Sequence, residues 1–252
     1  MDERVIKIPV VDTSKDGTGE IVDEIVIIPQ YDNANSVKLN SDELNEVIQE
    51  HLQFFQEDSY ELLLSANERI ATCEKYLREK RGQFSEIDII THFAVIAMLF
   101  DALKNSYNLI WSINHPGVKN DDVNGFIKTD KRVFCQTTEN IKEIVKKACG
   151  KDAKDEDAKY RDDYVIKFLR SLIFAHTSET TQAAFLNKAN KTVFYSPFAF
   201  SYEKSIVLRM YFNGEMEDLY IPSSEMEGYV DFLIDKILKL TAEVKKEAEK
   251  DK

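Results

Sequence analysis

The chain has 252 residues, is 43% apolar, holds only 8 Gly and 5 Pro, and carries a formal net charge of −12. That length can bury a sizeable core, and the composition is that of a largely helical globular protein, not of a collagen-like, low-complexity or membrane chain. The longest apolar run, Phe93 to Phe100, is closed by Asp101, far short of the roughly 18 residues a membrane span needs.

The N-terminus starts acidic, with no apolar run before a small-residue cleavage site, so no signal peptide is expected and a cytoplasmic setting is. Cys73, Cys135 and Cys149 are odd in number, widely spaced and without a CxxC pair, so neither a disulfide framework nor a zinc site is suggested. The charge is unevenly spread. Residues 1–60 hold fourteen Asp or Glu against four Lys or Arg, which is −10 of the total. Residues 128–151 run the other way, with Lys128, Lys131, Arg132, Lys142, Lys146, Lys147 and Lys151 against Asp130, Glu139 and Glu143. A polyanion could dock there away from the acidic end; the plainer reading is a solvated helix face.

Residues 1–35 read as a β-hairpin, because two Val/Ile-rich runs flank "DTSKDGTGE", which is turn chemistry. Pro9 and Pro29 favour edge positions or strand ends. A helix follows, capped by Ser41 or Asp42, with Leu44, Val47, Ile48, Leu52 and Phe55 spaced by three and four. A second helix spans 59–81 and is stopped by Gly82. The third runs from about Ser85 to Ile113, apolar almost all round in its first half, as a central helix is. After a polar loop comes a helix from Thr138 to Cys149, a charged connection, and an apolar helix "DYVIKFLRSLIFAH". Residues 191–222 read as a β-meander with turns at "EK" and "NG", and 223–252 as a terminal helix. A lone hairpin is marginal in water, so the expected architecture is one α+β domain over 1–252. In it a helical bundle (40–190) lies beside one antiparallel sheet joining the N-terminal hairpin to the C-terminal meander.

"RSLIFAH", from Arg170 to His176, carries the chemistry. Histidine moves protons near neutral pH, and arginine presents a permanently charged fork to phosphate oxygens. Together they suffice to cleave RNA without a metal: His176 as acid/base at the ribose 2′-hydroxyl, Arg170 stabilising charge on phosphorus. Six residues of regular helix separate them by about 9 Å of rise and about 120° of rotation. Convergence therefore needs a helix break near His176, which Thr177, Ser178 and Glu179 suggest, or a second subunit. The plainer reading pairs Arg170 with a carboxylate and leaves His176 as a satisfied structural residue.

Arg170 and His176 on a bundle helix resemble the R-x(4–6)-H signature of HEPN domains; Ser171 stands where that family usually has Asn, Asp or His. The resemblance covers roughly the middle of the chain. It implies a metal-independent, cofactor-free endoribonuclease or RNA-binding protein of a bacterial defence or toxin system, often a homodimer with a composite site. RNA would be the substrate and an antitoxin or other protein the partner. On this reading Arg170 and His176 are catalytic, Ser171 and Glu179 support them, and Lys142, Lys146 and Lys147 are RNA-binding candidates. The segments Arg170–His176, Glu179-Thr180 and Ser196-Pro197-Phe198 are also similar to uncharacterised bacterial proteins. The rival reading is a catalytically inert protein-interaction module.

Other residues read as structural. His51 and His92 lack a second ligand one turn on, so no metal site is expected. Of the aromatic set Phe194, Tyr195, Phe198, Phe200 and Tyr202, the even-numbered members alternate onto one face; base stacking there is conceivable, core packing the expectation. Tyr107 and Trp111 are also read as core.

Overall fold

The computed structural model describes residues 3–12, 20–29, 38–51, 57–115, 117–120, 123–128, 132–149, 162–170, 172, 195–212 and 214–249. The chain divides into two compact units, Met1–Lys38 and Leu39–Lys252. In the first, β1 (Glu3–Asp12) and β2 (Glu20–Pro29) pair antiparallel, from Glu3 opposite Pro29 to Asp12 opposite Glu20. A two-stranded ribbon leaves one side of each strand unpaired, which is where proline is tolerated; Pro29 ends its strand and Pro9 lies within β1.

The second unit is α+β. Its helices are α1 (Asn40–Glu50), α2 (Glu57–Glu79), α3 (Glu86–Asn114), α4 (Val123–Phe126), α5 (Cys135–Cys149), α6 (Asp162–Arg170) and α7 (Ser223–Glu249). Between α6 and α7 lie β3 (Tyr195–Tyr202), β4 (Ser205–Phe212) and β5 (Glu215–Pro222). α3 is the central helix and packs against α2, α4, α6, α7 and β3. Ile89, Phe93, Ile96, Leu99, Leu103 and Ile110 carry its buried surface. Its start is a capping box in which the Ser85 hydroxyl accepts from the Asp88 N–H at 3.3 Å and the Asp88 carboxylate accepts from the Ser85 N–H at 3.3 Å, satisfying two donors that a helix terminus leaves open.

Two helix starts, those of α1 and α5, are held by carboxylates distant in sequence. Glu74 of α2, fully buried, accepts from the N–H groups of Asn40 and Ser41, both at 2.9 Å, and from Arg78 at 2.8 Å. Neither Ser41 nor Asp42 caps α1: Ser41 lies inside the helix, its Oγ buried without a partner, and Asp42 accepts from Leu39 N–H at 2.9 Å. Asp162, at the start of α6, accepts from Val133 and Phe134 N–H, each at 2.9 Å. Glu225 of α7 accepts from Gln136 N–H at 2.6 Å, Thr137 N–H at 3.0 Å and the Thr137 hydroxyl at 2.7 Å. That external cap lets α5 begin at Cys135 instead of Thr138.

α4 occupies what reads as a polar loop. Lys236 of α7, 5% exposed, anchors it by donating to the carbonyls of Phe126 and Lys128. Its ammonium lies 5.3 Å from the Phe126 ring and 5.0 Å from the Phe232 ring, where cation–π attraction offsets part of the desolvation. Tyr107 stacks on Phe126 at 4.3 Å, and Trp111 on His115 at 4.2 Å; both residues are half-buried.

The expectation of one joined sheet does not hold. β1–β2 form a two-stranded sheet and β3–β4–β5 a three-stranded one. The meander finds its cover on helices instead. Ile206, Leu208, Met210, Leu219 and Ile221 are buried in the main core, and α5 lies along β5. There Asn140 donates to the Tyr220 carbonyl at 2.7 Å and Lys147 pairs with Glu217 at 2.7 Å, which occupies the edge a further strand would need. Gly214 takes φ +81° between β4 and β5, a conformation that suits glycine, and Glu203 takes φ +52° between β3 and β4, which side-chain-bearing residues seldom adopt.

Candidate functional site

α6 is short and strongly amphipathic. Val165, Ile166, Phe168 and Leu169 are buried, and so is Leu172 just beyond, a stripe spaced by one, three, four and seven that seats the helix on α3. Asp162 and Asp163 occupy the first turn, Lys167 and Arg170 the last, the arrangement the helix dipole favours. Lys167 also lies 6.0 Å from the centre of the Phe100 ring of α3. This stripe leaves Arg170 on the outer side of a helix that reads from sequence as apolar.

Arg170 reaches back to α3. Its Nη1 is 3.5 Å from Oδ2 of Asp101, with side-chain exposures of 39% and 55%. Other arginines are held more tightly. Arg81 grips Asp231 with two nitrogens at 3.0 and 2.8 Å, and Arg209 grips Asp218 at 2.9 and 3.0 Å. Each is a two-point fork on a carboxylate, and the carboxylate raises the guanidinium pKa further in both. Among the described residues Arg170 makes a single, long, solvent-accessible ion-pair contact. Its partner candidates Ser171, His176 and Glu179 lie outside the described residues, as do Phe194, Thr180 and the connection 150–161.

The lysines sit elsewhere, on α5, which faces β5. Lys142 pairs with Glu139 at 3.0 Å, and Lys147 pairs with Glu217 at 2.7 Å. The hydrogen bond from Glu217 pushes the Lys147 ammonium pKa up. Lys146 is exposed. Arg170 is thus tied to α3, and of the lysines Lys147 is tied to β5.

The histidines within the described residues share one arrangement. Nδ1 of His51, His92 and His115 lies 2.9, 2.9 and 2.8 Å from the carbonyl four residues earlier, of Val47, Asp88 and Trp111. His92 is buried between the rings of Tyr76 and Phe84, at 5.4 and 5.6 Å. Each ring is locked to its own helix, as a structural histidine is. Among the described residues no group of three or more His, Cys, Asp or Glu is placed to hold a metal ion, and no described helix is long and apolar enough to cross a membrane.

The aromatic strand departs from expectation. Register places Phe198, Phe200 and Tyr202 opposite Arg209, Val207 and Ser205, while Ala199, Leu208 and Leu219 form the core-facing row. Phe200 is half-buried under the Arg209 guanidinium at 5.4 Å, and Tyr202 is 55% exposed. Alternation is correct in separating the residues, but the small, aliphatic row is the one that faces the helices.

No protein-family model matches the chain, and no curated protein and no solved structure matches it either.

Proposed function

We propose that this protein is a HEPN-like, metal-independent endoribonuclease of a bacterial defence or toxin system, working in the cytoplasm on RNA. The observation that carries the reading is the loose hold on Arg170. An exposed ion pair of this kind is worth at most about 1 kcal/mol, so an RNA phosphate can displace Asp101 at little cost. The structural arginines, with two-point carboxylate partners, are not available in this way.

In the reaction, His176 takes the proton from a ribose 2′-hydroxyl, and the oxygen attacks the adjacent phosphorus. The bond to the 5′-oxygen breaks, leaving a 2′,3′-cyclic phosphate and a 5′-hydroxyl, which receives a proton. Arg170 stabilises the negative charge that builds on the phosphoryl oxygens, with Ser171 and Glu179 in support. A second copy of the chain would complete a composite site, and an antitoxin or other protein would hold it in check. Lys142, Lys146 and Lys147 would hold flanking RNA.

The test is cleavage of a labelled mixed RNA pool in EDTA by wild type, Arg170→Ala and His176→Ala, all shown to be folded. Cutting by wild type alone, with cyclic phosphate ends, supports the reading. RNA left intact by all three removes it and leaves the second reading, a protein-interaction module. That reading draws on one sheet face, where Tyr202, Met216 and Tyr220 are 55%, 53% and 43% exposed.

A further inference from the structure

A groove of about 460 Å³ runs between α2 and α3, within the range of roughly 300 to 1,000 Å³ usual for small-molecule sites. It owes nothing to Arg170, which does not line it. α2 supplies Ser65 and, one turn on, Arg69; α3 supplies Asn105, Ser106 and Asn108. No carboxylate lines it among the described residues.

Two observations mark it as built for a ligand. Arg69 is exposed, and unlike Arg78, Arg81, Arg170 and Arg209 it has no carboxylate partner among the described residues. An unneutralised guanidinium in a groove free of acids offers a fork to an oxyanion. Ser106 is 1% exposed, and its Oγ has no hydrogen-bond partner. A helical serine ordinarily bonds the carbonyl four residues back, as Thr72 and Thr91 do here at 2.9 and 2.7 Å. A buried hydroxyl without a partner costs about 1 to 3 kcal/mol, and Ser106 belongs to the wall of this groove.

The remaining chemistry narrows the ligand. The carboxamides of Asn105 and Asn108 each offer a donor and an acceptor, the pair a nucleobase edge requires. Leu62, 60% exposed, and Leu109 give the walls an apolar surface suited to a sugar or base face. We propose that this groove binds a nucleoside monophosphate, with the phosphate on Arg69 and the base edge on the asparagines.

Titration calorimetry with AMP, GMP, CMP and UMP on the full chain tests this. At least one should bind one-to-one. Arg69→Ala should weaken it about tenfold or more, the value of a charge-assisted contact, and Ser106→Ala should weaken it with no loss of stability. Arg170→Ala should bind as wild type does, which separates this site from the proposed nuclease site. The proposal is overturned if none of the four nucleotides binds, or if Arg69→Ala binds within twofold of wild type. It is equally overturned if only an oligoribonucleotide without a terminal phosphate binds in an Arg69-dependent way, because the groove would then belong to an RNA strand.

Discussion

Nη1 of Arg170 and Oδ2 of Asp101 lie 3.5 Å apart on the surface of the bundle, at the last residue of α6 and in the middle of α3. Both side chains are more than a third exposed, so the pair contributes little to stability. If Arg170 receives RNA, Asp101 competes with the phosphate for it. Asp101→Asn should therefore bind a short RNA several-fold more tightly and Arg170→Ala more weakly, while both unfold within about 0.5 kcal/mol of wild type. Fluorescence anisotropy at two salt concentrations reads the first effect and urea titration the second. A large loss of stability in Arg170→Ala would mark the arginine as structural and sink the nuclease reading.

Glu74 poses the opposite case. Its buried carboxylate holds the start of α1 and the Arg78 guanidinium at once. Glu74→Ala leaves two helix-terminal N–H groups and a cation without their acceptor, and should cost about 2 to 4 kcal/mol. Glu225→Ala, whose carboxylate is half-buried at the start of α5, should cost about 1 to 2 kcal/mol. Chemical denaturation of both variants checks the order, and equal losses would show that burial of the acceptor does not set the cost.

These carboxylates also show what was legible in the sequence. α3, α7 and the meander follow from periodicity, Ser85 and the turn residues, because those signals act over three or four positions. Glu74, Asp162 and Glu225 meet backbone groups 28 to 89 positions away, and no local spacing announces such a partner. The early start of α5 and the failure of Ser41 to cap α1 follow from that, and α4 depends in the same way on Lys236, more than 100 positions away. Arg170 was legible as chemistry but not as an exposed residue, since its apolar neighbours suggest a helix buried on all sides. The α2–α3 groove left no trace at all: Arg69, Asn105 and Asn108 are ordinary surface residues until two helices bring them together.

Lys236 is a buried cation that acts locally. It ties the end of α4 to α7 through two carbonyls and lies between two aromatic rings. Lys236→Met keeps the stem and removes a buried charge, so global stability should change by less than about 2 kcal/mol. The freed carbonyls should loosen 123–128. Hydrogen exchange followed by mass spectrometry should show faster exchange in that peptide and little change in α3. Uniformly faster exchange would instead make the lysine a global support.

Cys73 supplies a pH dependence with a defined sign. It is 1% exposed, and burial pushes its thiol pKa from 9.0 up to about 11, with the nearby Arg69 charge pulling the other way. The folded chain therefore holds the proton more tightly than the unfolded chain does. The resulting stability is fully present below about pH 9 and is lost as pH rises toward about 11. Its size is on the order of 2 to 3 kcal/mol. Tyr229 is also pushed up by burial and titrates in the same direction, so the quantity to measure is the difference between wild type and Cys73→Ala across pH 8 to 11 in urea. That difference should shrink as the medium becomes alkaline. At pH 8 an alkylating reagent followed by peptide mapping should modify the exposed Cys135 and spare Cys73. Parallel curves for the two proteins, or ready modification of Cys73, would show that the thiol is not held in the core, where the fold buries it.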